Sequence, residues 1–76
     1  MFYHDHIEID PRICSGKPVI RGTRILVTSI LSQLGAGESF SAIRAGFPGL
    51  TDDGIRAAIE FAKDSVESTE LAGLRD

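Results

Sequence analysis

Four basic side chains, Arg12, Lys17, Arg21 and Arg24, fall between Pro11 and Gly37 with no acidic residue among them. Guanidinium and ammonium groups gathered in this way meet phosphates or carboxylates, so the segment is a candidate surface for nucleic acid or an acidic protein. Arg21 and Arg24 flank Gly22, and a short turn there holds both guanidinium groups at fixed spacing, which bidentate recognition requires. The local alternative is pairing with Glu8, Asp10 or Asp53, at about 0–1 kcal/mol for each exposed contact. Further along, Arg56 and Lys63 stand seven residues apart, on one face of any helix that spans them. That helix opens with Asp52 and Asp53, which repel phosphate unless they point away or pair with arginines. Both also suit a helix start, where the dipole favours anions by about 0.3–1 kcal/mol each. The conflict ranks a protein partner above DNA, with residues 12–24 contributing as much as the helix if DNA is bound.

Other chemistry is thinner. Gly16-Lys17 lacks the setting of a phosphate loop, because Pro11 stands where its first glycine belongs and Pro18 follows the lysine. A tight turn with Pro18 fixing the start of a strand explains the same residues. His4 and His6 share one side of an extended segment, but they lack further ligands nearby and fit solvent-exposed terminal histidines. Cys14 has no histidine and orienting group recognisable around it and fits a small, half-buried thiol. No acid–base pair, metal set or nucleophile arrangement emerges, so the expectation is a binding protein with no cofactor and no turnover.

With 42% hydrophobic and 25% charged residues the composition is that of an ordinary globular protein. Residues 1–76 form one domain at most, since a chain this short buries only roughly 60% of its unfolded surface. Cys14 is the single cysteine, so no internal disulfide is available, and a homodimer or higher oligomer is the natural source of further buried area. No stretch approaches the roughly 20 apolar residues of a membrane span, and Met1 to His6 does not resemble a signal peptide. A cytoplasmic protein without membrane contact is expected. The net charge of −3 conceals an asymmetry, because all eleven carboxylates lie outside the basic segment.

The elements that must position these groups follow from periodicity. Ile7-Glu8-Ile9-Asp10 alternates like a half-buried strand that Pro11 ends. Val19-Ile20 and Arg24-Ile25-Leu26-Val27 flank the turn at Gly22, and Gly16 and Pro18 punctuate the loop before it, giving a two- or three-stranded β element over residues 7–27. From residue 28 the spacing becomes helical. Ile30, Leu31 and Leu34 mark a first helix that Thr28 or Ser29 can cap and Gly35 or Gly37 can stop. Ser39 caps a second, with Phe40, Ile43 and Phe47 as core, and Pro48-Gly49 breaks it. Thr51 caps a third, whose apolar stripe is Ile55, Ala58, Ile59, Ala62 and Val66. The fold class is mainly α: a three-helix, helix-turn-helix body over 28–66 after a short β element, with residues 67–76 as a flexible tail.

Gly16-Lys17-Pro18-Val19-Ile20-Arg21-Gly22-Thr23-Arg24-Ile25 resembles the signature of the bacterial domain of unknown function 433 family. Ile9-Asp10-Pro11, Gly37-Glu38-Ser39-Phe40 and Phe47-Pro48-Gly49-Leu50-Thr51 extend the likeness from about Ile7 to Ala62. Leu26 departs from it, since family members commonly carry proline there. The resemblance implies a homeodomain-like helical fold and kinship with VapB-type antitoxins, often encoded beside a PIN-like ribonuclease. It therefore implies a type II antitoxin that masks its toxin, with operator DNA as a second partner. The acidic C-terminal end, including Glu67 and Glu70, would then face the basic residues of a nuclease's RNA groove.

Overall fold

The computed structural model describes residues 2–69. Three short strands, β1 (Phe2–His4), β2 (Ile7–Glu8) and β3 (Val19–Ile20), precede three helices, α1 (Val27–Gly35), α2 (Phe40–Gly46) and α3 (Asp52–Glu67). The fold is mainly helical, with an antiparallel β element in front. The strands are ordered β1-β2-β3. Ile7 stands opposite Ile20, and Glu8 opposite Val19. Because side chains alternate along a strand, Ile7 and Ile20 face the helices while Glu8 and Val19 share the opposite face.

One aliphatic side chain from β2 and from each helix builds the centre: Ile7, Ile30, Ile43 and Ile55 are all fully buried. Ile20, Val27, Leu50, Ala57 and Ala58 complete this cluster, with Phe40, Phe47 and Phe61 packed at its edge. The expected core stripe of α3 holds at Ile55 and Ala58, both fully buried, but not at Ile59 and Val66. Ala57 is buried, whereas Ile59 is 40% and Val66 72% exposed. Full burial on α3 is confined to Gly54, Ile55, Ala57 and Ala58 near its start, with Phe61 packed at the edge of the core, so spacing alone placed Ile59 and Val66 in a core that they do not enter.

The β element also ends earlier than its composition suggests. Asp10 belongs to a turn rather than a strand: its Oδ1 accepts the Arg12 backbone N–H at 2.8 Å, and its carbonyl accepts the Ile13 N–H at 2.9 Å. Such side-chain acceptance competes with ladder pairing and stops β2. Residues 24–27 contribute one bridge, Val19 to Leu26, because Leu26 already forms the cap of α1. Neither Thr28 nor Ser29 caps that helix; its start carries no side-chain cap. Instead the Val27 N–H reaches the Pro18 carbonyl at 3.0 Å, so β3's approach satisfies an orphan donor that a cap would otherwise serve. β1 was not visible as a strand in the sequence, since its residues do not alternate.

The remaining caps are as expected. Ser39 Oγ accepts the Ala42 N–H, and Thr51 Oγ1 accepts the Gly54 N–H, each at 3.0 Å. α1 ends at Gly35, and Gly37 follows in the left-handed region. α3 runs through Glu67; the remainder of the proposed flexible tail, 70–76, lies outside the described residues.

Candidate partner-binding corner

The corner after β3 is fixed by four hydrogen bonds. The Thr23 N–H donates to the Ile20 carbonyl at 3.0 Å and the Ile20 N–H to the Ile25 carbonyl at 2.9 Å. Thr23 Oγ1 donates to the same Ile20 carbonyl at 2.7 Å and accepts the Ile25 N–H at 2.9 Å. Gly22 sits inside with φ +79°, a conformation that costs other residues roughly 1–2 kcal/mol. The Arg21 N–H donates to the His6 carbonyl at 2.8 Å, which ties the corner to the start of β2. Arg21 and Arg24 are thereby displayed from a rigid frame, and both are exposed.

A second turn stands beside it. Cys14, Ser15 and Gly16 take positive φ values of 49°, 58° and 84° in succession. Two of the three are not glycine, so this left-handed turn stores backbone strain of order 1–3 kcal/mol for each. The Gly16 N–H to the Ile13 carbonyl closes it at 3.0 Å. Cys14 Sγ approaches the Arg24 carbonyl at 3.9 Å, so the thiol lies between the two turns.

The four basic residues of the segment separate into distinct environments. Arg12 is paired: its Nε and terminal nitrogen contact the two oxygens of Asp10 at 3.1 and 2.9 Å. The Arg12 side-chain hydrogen bonds, followed by its backbone N–H, hold the Asp10 carboxyl down from 3.8 to about 2. Asp10 in turn raises the pKa of Arg12. Lys17 is exposed. Arg21 lines a shallow depression with Asp5, His6 and Ile20. Arg24 lines another with Glu8, Ile13, Gly22 and Thr23. The corner is therefore not uniformly positive, because each arginine shares its depression with a carboxylate. Glu8 and Asp5 were missed as site residues, although the alternation of β2 already put Glu8 opposite the buried face of Ile7.

The basic side chains of α3 are elsewhere. Arg56 contacts Asp53 at 2.9 Å, and its guanidinium lies 5.9 Å from the centre of the Phe40 ring. Lys63 is 3.3 Å from Glu60 and 3.7 Å from Asp64. Its hydrogen bond to Glu60, and then the charges of Glu60, Asp64 and Glu67, raise the pKa of Lys63. Arg44, which the sequence left unassigned, brings its Nε to 2.7 Å from Asp52 Oδ1. That oxygen is shielded from solvent without an aligned hydrogen bond, so charge alone holds it. Asp52 and Asp53 are thus both met by arginines at the start of α3. Among the described residues no group of three or more histidine, cysteine or acidic side chains is placed to hold a metal ion, and no helix is long and apolar enough to cross a membrane.

A short antiparallel β element with a glycine-cornered arginine pair, set on three helices, defines a small module that displays charge from rigid turns. The chain belongs to the family described as Protein of unknown function (DUF433), which matches residues 7–62. It is similar to Uncharacterized protein y4eO of Sinorhizobium fredii (strain NBRC 101917 / NGR234), with 35% identity over 65 residues. The matched part is 86% of this chain and 28% of that protein, so the chain spans less than a third of the relative. No solved structure matches significantly.

Proposed function

We propose that the chain is the antitoxin-like component of a bacterial type II toxin–antitoxin pair, binding and neutralising a PIN-like ribonuclease, with no turnover of its own. Its family resemblance suggests the class of partner. The observation that favours a protein over nucleic acid is the mixed lining of the corner: Arg21 shares its depression with Asp5, and Arg24 with Glu8. A phosphate backbone offers only negative charge and would set those carboxylates against it, whereas a protein surface can supply both signs. Inhibition is by occlusion of the nuclease. Arg21→Glu is expected to weaken neutralisation in an RNA-cleavage assay while leaving helicity by circular dichroism unchanged. Unaltered neutralisation by that variant would remove the corner from the contact.

A second reading is a helix-turn-helix DNA-binding regulator acting at its own operator. It is favoured by the start of α3, where Arg44 and Arg56 meet Asp52 and Asp53 and relieve their repulsion of phosphate. On this reading promoter affinity falls steeply with salt, and Lys17→Ala with Arg21→Ala lowers the slope by about 2. A promoter affinity that does not respond to salt excludes it.

A further inference from the structure

A cleft of about 430 Å³ is lined by Glu8 of β2, by Ile13, and by Gly22, Thr23 and Arg24 of the corner. Ile13 precedes the strained left-handed turn on one side, and the glycine corner forms the other. Glu8 is half-buried and Arg24 exposed, and neither makes a salt bridge or side-chain hydrogen bond among the described residues. The nearby cation Arg12 feels the charge of Glu8, but its guanidinium is occupied by Asp10. One patch therefore presents a single carboxylate and a single guanidinium, opposite in sign and, among the described residues, without ion-pair partners.

That pattern is self-complementary. A two-fold axis brings the same patch from two copies face to face, so that residue i meets j and j meets i. Placed on this cleft, the axis pairs Glu8 of each copy with Arg24 of the other, two ion pairs from one arrangement. Nucleic acid would satisfy Arg24 and oppose Glu8. An unrelated protein would have to supply both signs at the matching separation, whereas a second copy supplies them by identity. Gly22 assists, because no atom lies within 4 Å of where its Cβ would be, which leaves room for the partner's backbone.

We propose that a second copy of this chain docks at this cleft, with Glu8 and Arg24 exchanged across a two-fold axis. The depression around Arg21 shares no lining residue with this cleft. With Glu8 and Arg24 committed to the second copy, toxin binding rests on the depression around Arg21 and Asp5, so either contact can fail without the other.

Charge reversal tests the exchange. In sedimentation velocity the parent chain is expected to be a dimer, while Glu8→Arg alone and Arg24→Glu alone each weaken dimerisation by about 100-fold, since like charges then face each other. The Glu8→Arg copy is basic at both positions of the patch, and the Arg24→Glu copy is acidic at both. An equimolar mixture of the two therefore sets opposite charges across both contacts again, and native mass spectrometry shows a heterodimer with one of each. Should Glu8→Arg not fold by circular dichroism, Arg24→Glu, altered at an exposed position, decides by the loss of the dimer with helicity retained. A monomeric parent, single variants that dimerise like the parent, or folded variants that do not form the mixed dimer would each overturn the proposal. Neutralisation assayed on Arg21→Glu reads the other depression, so failure of one claim is separable from failure of the other.

Discussion

Asp10 and Arg12 stand two residues apart and hold each other through three contacts, two from the guanidinium and one from the backbone N–H. The carboxyl is pulled below its ordinary value to about 2, so the folded state favours its charged form. A depressed carboxylate stabilises the fold fully above the unfolded value near 4, and this contribution is lost as pH falls towards 2. Asp10→Asn is therefore expected to flatten the fall in stability between pH 4 and pH 2, measured by urea unfolding across that window. At Gly22 the question is conformational alone, because open space surrounds the position and only φ +79° opposes a side chain. Gly22→Ala should lower stability by about 1–2 kcal/mol, seen as a lower melting temperature. The turn role of Gly22 was legible from its place between two β-branched runs. The partner of Arg12 was legible only as one of three acids, since no spacing rule separates Asp10 from Glu8 or Asp53 before the turn is known.

At the level of elements, the caps and the breakers carried most of the information. Ser39, Thr51 and Pro48-Gly49 mark α2 and α3 by local chemistry that tertiary contacts do not override. Thr51→Ala should cost about 1 kcal/mol by thermal unfolding, because the Gly54 N–H loses its acceptor. The burial of α3 was less legible, since periodicity gives the direction of a side chain and not the reach of the body it faces. Ile55→Ala, at a fully buried position, is expected to destabilise by about 2–5 kcal/mol. Val66→Ala, at 72% exposure, should change stability by no more than about 0.5 kcal/mol. Equal losses at the two sites would contradict the packing described. The start of α1 was misplaced for a related reason: the Pro18 carbonyl serves the Val27 N–H across a distance in sequence that no capping rule covers.

For the whole molecule the decisive property is how charge is distributed once the chain is folded. In sequence, residues 12–24 carry four basic side chains and no acidic one, but folding divides them. Arg12 is matched by Asp10, Arg21 lies with Asp5, and Arg24 lies with Glu8. Asp5 and Glu8 come from the acidic side of this segment and reach it only because β2 pairs with β3. The mixed surface that results suits a protein partner, and the start of α3 is electrically balanced by Arg44 and Arg56. The most direct test of the proposed antitoxin role is RNA cleavage by a PIN-like ribonuclease partner, measured with and without a stoichiometric amount of this chain. Cleavage is expected to be suppressed by the parent chain and restored when Arg21 is replaced by Glu. Cleavage at the same rate with and without the parent chain would contradict the proposed role.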